Sequence, residues 1–384
     1  MKVIDIFYFD NEVGDYDEYN PRFVMEEPLV KNIITLMSKK KAYFYTRESL
    51  SKKLNASSIK HQISLLNNIS AIKEKDGRFC LNFPCFSNKD IRIIRRIVNK
   101  SLTKNLINYQ NCFKEMELVV KDIYPDIDTK LTLYHLVCGK FFDGVVFDFL
   151  ESQNVLKQSF EQKDERDYMI IGYQNSFQCR KFNSNLFCSF NHARNNGSSL
   201  SSFGNAEGFR CDYFRYFQLR KINKIYGKFK AMHQNLKDYA NDEIVSSSLS
   251  VIKNLRNNEG SEKNVFFKML QYTKYLDKEG KIVVPIFSNS DKTVEMIKDY
   301  IIKSIGKVIL DSFKEITLQV YNKNITAIDH QVDRDQINNE IWHIYFGLLN
   351  KRLIKKRIVA KPQRFLGEGR YLKCIYLSED NSSI

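Results

Sequence analysis

No stretch of the 384-residue chain approaches the ~18 consecutive apolar residues that a membrane-crossing helix needs. The first residues are acidic and lack the basic flank and apolar core of a secretory signal, so a cytoplasmic protein without a membrane partner is expected. Short catalytic signatures are missing too: G-x-S-x-G, G-x-x-x-x-G-K-[ST], H-E-x-x-H and G-x-G-x-x-G do not occur. The six histidines (61, 135, 192, 233, 330 and 343) form no close ligand pair. Cys179, Cys188, His192 and Cys211 are soft donors, but their C-x8-C-x3-H-x18-C spacing lacks the close cysteine pair of most structural zinc sites. The eight cysteines are scattered and read as reduced thiols. The expectation is therefore a protein that is not an enzyme, with no catalytic residue, cofactor or metal.

What is present is positive charge, unevenly placed. The chain carries +15 at neutral pH, whereas its first thirty residues carry −6, through Asp5, Asp10, Glu12, Asp15, Asp17, Glu18, Glu26 and Glu27 against Lys2 and Arg22. A basic body favours a polyanionic partner, nucleic acid being the commonest. The richness in Lys, Asn and Ile has a second source in AT-rich coding, so the charge supports a nucleic-acid reading without establishing it. At 43% apolar residues the chain has material for two or three packed domains.

Residues 29–84 hold the strongest local pattern. LVKNIITLMSKK places Leu29, Ile33, Leu36 and Met37 at helical spacing. AYFYT suits a short strand, and Thr46 can cap the following RESLSKKLN helix, whose Leu50 and Leu54 share a face. Asn55-Ala56-Ser57 forms a turn, and Ser57 or Ser58 caps a third helix, SSIKHQISLLNN. Asp76-Gly77 then closes a hairpin within SAIKEKDGRFCLNFP. Helix, strand, helix, turn, helix, hairpin: this order resembles the winged helix-turn-helix family of DNA-binding domains.

That resemblance implies double-stranded DNA as partner, with the third helix in the major groove. Ile59, Ile63 and Leu66 fall on one side of that helix, leaving Ser57, Ser58, Lys60, His61, Ser64 and Asn68 to face DNA. Lys73, Lys75 and Arg78 on the hairpin would touch backbone or minor groove. Folds of this kind also serve protein contacts alone.

The rest of the chain reads as follows. Residues 1–28 form an acidic arm opening on VIDIFYF, an edge-strand candidate. Residues 87–287 form a mainly helical central domain for sensing or dimerisation. Within it, 129–155 is apolar almost all round and reads as a buried helix in which Asp143 is a candidate for lining a ligand site. YMIIGY is a strand, and 174–212 is an Asn-, Ser- and Phe-rich stretch suited to a binding loop. There Arg194 and Arg210, with amides near Gly197, Gly204 and Gly208, are candidates for holding an anion. Residues 213–240 read as a long aromatic and basic helix.

Residues 290–384 give a weaker winged-helix echo: a helix over 335–355, then a strand–turn–strand over 357–377. Lys351, Arg352, Lys355, Lys356, Arg364 and Arg370 are its candidate DNA contacts, although the family's short second helix is missing.

The fold expected is thus mainly α with small β elements, α+β in class, with a winged helix at the N-terminal end and a winged-helix-like C-terminal end. The function expected is a sequence-specific transcriptional regulator, a homodimer, responsive to a small-molecule or peptide effector. Two alternatives remain open: a plasmid- or phage-type replication initiator with two winged helices, and a scaffold that binds only protein.

Overall fold

The computed structural model describes residues 3–12, 14–207, 235–236, 239–260, 262–288, 291–365 and 368–378. The 213–240 helix, Arg210, Cys211 and Gly208 therefore lie outside, or almost wholly outside, the described residues. The protein is mainly helical with a smaller strand content, the α+β class read from sequence. It divides into two compact units, each assembled from three chain segments. The first holds Met1–Asn108, Val146–Asn183 and Gly306–Leu349; the second holds Tyr109–Val145, Ser184–Ile305 and Asn350–Ile384.

The first unit opens with strand β1 (Ile4–Glu12) and helix α1 (Pro21–Glu26). The acidic N-terminal segment is folded in: β1 is an edge strand, as VIDIFYF suggests, and Ile4, Val24 and Met25 reach the core. Helices α2 (Val30–Met37), α3 (Arg47–Leu54) and α4 (Lys60–Asn68) follow, with the two-residue strand β2 (Tyr45–Thr46) between the first two. Strands β3 (Ile72–Lys75) and β4 (Arg78–Leu81) make the hairpin, and β2 pairs with β4 to give the order β2-β4-β3. Asp76 and Gly77 both have positive φ, 51° and 72°, as a two-residue hairpin turn of right-handed twist requires.

Local chemistry explains several of these boundaries. Thr46 and Ser49 form a reciprocal capping box at the start of α3. Asn55 ends α3 in the left-handed conformation, which asparagine tolerates better than most residues. Helix α2 starts one residue later than its apolar spacing implies: Leu29 is left-handed at φ 70°, and the buried face is Val30, Ile33, Ile34 and Met37.

A second sheet in this unit has the order β1-β6-β5, where β5 is Cys85–Phe86 and β6 is Asp167–Gln174. One apolar core joins α1 to α4, the hairpin, and Tyr168 and Ile170 of β6. The unit also contains α5 (Asn88–Lys104), capped by a Ser87–Asp90 box.

Further along the chain are α6 (Leu106–Ile123) and α7 (Thr129–Leu133). A π-helix, Tyr134–Val145, continues α7, and α8 (Val146–Ser152) and α9 (Phe177–Ser184) come after it.

The second unit is built on a five-stranded sheet. Strands β7 (Ser189–Asn195) and β8 (Ser198–Gly204) form a hairpin turned by Asn196 and Gly197, both at positive φ. Helices α10 (Asn241–Arg256) and α11 (Val265–Tyr272) and strand β9 (Ile286–Ser288) follow.

Helices α12 (Asp291–Ile301), α13 (Lys307–Tyr321), α14 (Thr326–Asp329) and α15 (Arg334–Lys355) lead to strands β10 (Arg364–Phe365) and β11 (Gly369–Leu377). Strand β11 pairs with β10 over only two residues, but with β8 over six, antiparallel, and with β9 over three, parallel. The C-terminal strand–turn–strand is therefore part of a larger sheet and not a free hairpin. One face of that sheet packs Ala193, Leu200, Ile375 and Leu377 against Ile244, Val245, Met269 and Leu270 of α10 and α11. The other face meets the π-helix, where Gly139 lies so close to Phe203 that an added Cβ would sit 3.1 Å from its ring.

Candidate nucleic-acid interface

Helix α4 is divided cleanly by burial. Ile59, Ile63, Leu65 and Leu66 are each at most 2% exposed, while Ser57, Ser58, Lys60, His61 and Ser64 are all exposed and Asn68 is half-buried. The sequence spacing picks out the buried face correctly and misses only Leu65. The helix starts at Lys60, not at Ser57: Ile59 occupies the cap position, where its aliphatic side chain has no atom to accept a cap bond and packs into the core instead. Ser57 and Ser58 therefore lead into the helix, and the Ser58 hydroxyl accepts from the Lys60 amide at 3.3 Å.

The hairpin beside α4 exposes Lys73, Lys75 and Arg78 together with Glu74 and Asp76. Among the described residues, Lys60, Lys73, Lys75 and Arg78 enter no ion pair. Arg78 is tied by a guanidinium hydrogen bond to the Phe44 carbonyl at 3.1 Å. Phe44 is itself 51% exposed, and the Lys40 ammonium lies 4.7 Å from its ring centre. This Lys40–Phe44 pair is not evident in the sequence, where Phe44 is one of three consecutive aromatics in a strand-like AYFYT run.

Some carboxylates of the acidic segment have side-chain partners within the first unit. Asp17 accepts from the Arg166 guanidinium at 2.6 Å, and Tyr16 donates to Glu26 at 2.6 Å. Burial raises the Asp17 carboxyl, but the hydrogen bond and charge of Arg166 outweigh it and hold the group below its ordinary range. Glu27 comes within 3.9 Å of the His61 ring, adding negative charge at the start of α4.

The other described candidate residues belong to the second unit. Lys351, Lys355, Lys356 and Arg364 are exposed, and Arg352 and Arg370 are half-buried. Arg364 forms an ion pair with Glu207, and the Arg370 amide donates to Asn205 at 2.9 Å. Asp143 is half-buried on the π-helix, and burial pushes its carboxyl well above the carboxylate range. Arg194 is exposed on β7. Gly204 is engaged in the sheet, opposite Ser189 and Tyr371, so an anion-binding loop of free amides is not formed there. Cys179 donates to Asn88 at 2.8 Å in the first unit, whereas Cys188 and His192 belong to the second.

Comparison with protein-family models, curated proteins and solved structures returns no match for this chain.

Proposed function

We propose that the protein is a sequence-specific DNA-binding regulator whose first unit carries a winged helix-turn-helix, with α4 as reading helix and the β3–β4 hairpin as wing. One observation carries the reading: a helix whose apolar side is entirely buried presents short hydroxyls, Lys60 and His61 to solvent, next to a hairpin of exposed cations. Hydroxyls and imidazole can bond base edges, and ammonium groups neutralise phosphates. In this reading the second unit is the sensing and assembly part, and two copies would bind a two-fold site. A replication initiator with two winged ends is less well supported, because β11 is hydrogen-bonded along both edges and has no freedom to act as a wing.

Selection of bound fragments from genomic DNA at about 0.15 M salt tests the reading, since nonspecific phosphate contacts are weak there. Enrichment of a short inverted repeat is expected, and Lys60→Ala with His61→Ala should abolish it while the far-ultraviolet spectrum stays unchanged. Equal enrichment by the double variant would remove α4 as the reading helix.

A further inference from the structure

The face of the second unit's sheet that meets the π-helix carries an organised polar patch. Register sets its layout: His192, Ser201 and Cys374 lie opposite one another across β7, β8 and β11, and Arg194, Ser199 and Tyr376 form the next row. Residues paired directly across an antiparallel sheet share a face. The intervening Ala193, Leu200 and Ile375 are found in the core on the other side, as this requires. Lys140 descends from the π-helix onto these rows, with its ammonium 4.6 Å from the centre of the Tyr376 ring.

Chemistry of this kind is unusual for the inside of a sheet. Ser199, Ser201, Cys374 and Tyr376 are all buried, and the two serine hydroxyls share a hydrogen bond of 2.9 Å. Only one of those two protons is used in that bond, so the other is available to an acceptor. Nδ1 of His192 is buried and finds no hydrogen-bond partner among the described residues. The Arg194 end of the patch is open to solvent.

Like charges gather here. Burial, then the charges of Arg194 and Lys140, push His192 down to about 4. Burial brings Lys140 down to about 8, with Cys374 opposing and Arg194 assisting that shift. Asp143, on the same π-helix, has its carboxyl raised well above the carboxylate range by burial. Cations crowded onto a hydroxyl-lined, half-buried face are stabilised when an anion joins them.

We propose that Lys140, His192, Arg194 and the Ser199–Ser201 pair form a binding site for a phosphoryl group. The donors reach the site from two strands and a helix, which suits a tetrahedral oxyanion better than a planar carboxylate. The site stands on its own geometry and does not depend on the DNA-binding reading.

Calorimetric titration of the full chain with inorganic phosphate, at constant ionic strength in chloride, tests it. Saturable one-to-one binding is expected. Arg194→Gln, a solvent-exposed change that leaves the core intact, should weaken it at least tenfold, as should Lys140→Gln. Lys268→Gln, an exposed cation of α11 outside the patch, should leave it unchanged. Absence of saturable binding to the unaltered protein would overturn the proposal. So would undiminished binding by Arg194→Gln, or a loss with Lys268→Gln equal to that of the site variants.

Discussion

The imidazole of His330 accepts a hydrogen bond from the Leu81 amide at 3.2 Å, across 249 positions of sequence. Strand β2 pairs with β4 only as far as Phe79, so the Leu81 amide lies beyond the end of its neighbour, and His330 supplies the missing acceptor. Since Nδ1 accepts, Nε2 carries the proton, and it lies 3.2 Å from the Met37 carbonyl at the end of α2. One side chain thus links helix α2 to the β3–β4 hairpin. The segment bearing it is anchored in turn: Thr326 donates to Asp90 at 2.7 Å, and the Ala42 amide donates to Asp329 at 3.2 Å.

Replacing His330 by Ala should cost about 2–3 kcal/mol, because the buried Leu81 amide loses its acceptor and a void is left. Urea unfolding checks the magnitude. A loss under 0.5 kcal/mol would mean that water takes over the bond.

Acidity should weaken the same link. Burial pulls the His330 pKa down, against the weaker opposing effect of the Met37 carbonyl. A histidine whose folded pKa lies below its unfolded value contributes stability that is complete above about pH 6.5 and is lost as pH falls towards the folded pKa. Burial similarly sets His343 at about 4, opposed by its bond to Asn339. Thermal melts of the intact protein should therefore drop below pH 6.5. His330→Gln should show a shallower decline than the unaltered chain.

Glu340 imposes a slope of the opposite sign. It is 4% exposed, accepts from the Tyr173 hydroxyl, and is raised by burial to about 8, with that hydrogen bond opposing. A carboxyl raised on folding contributes stability that is complete below about pH 4.5 and is lost as pH rises through 8. Lys140, brought down to about 8 by burial, and Asp143, raised by burial, also contribute in this range, so the Glu340 slope is read as the difference between the unaltered chain and a Glu340 variant. Glu340→Gln should flatten it and raise stability at pH 8 by about 1–3 kcal/mol. Parallel pH profiles for the two proteins would refute that role.

Wing charge should appear as salt dependence. If the hairpin is the proposed wing, Lys73→Gln with Lys75→Gln removes two cations offered to phosphates and should reduce the slope of log affinity against log salt by about 2, with loss of affinity on every DNA sequence tested. Fluorescence anisotropy on specific and random duplexes measures both. An unchanged slope would place the hairpin away from the phosphates.

The sequence by itself determined the local elements of the 29–84 segment. Thr46 and Ser87 dictate where helices begin, Asp76-Gly77 admits only a tight hairpin, and the spacing of Ile59, Ile63 and Leu66 settles which side of α4 is buried. These are short-range effects of capping, positive φ and helical period, and they are legible within a few residues. The exposed candidates Lys60, His61 and Ser64 follow from the same period.

Tertiary structure alone decided what those elements are joined to. Nothing near Leu81 indicates that His330 completes its strand. Nothing in the 357–377 segment indicates that β11 binds β8 and β9 in preference to a long partner in β10. Lys140 is hidden in an apolar run, and its place above His192 and Arg194 depends on strand register between segments far apart in sequence. Pairing of this kind is chosen by competition among all available edges and apolar faces at once, and no local window contains that comparison.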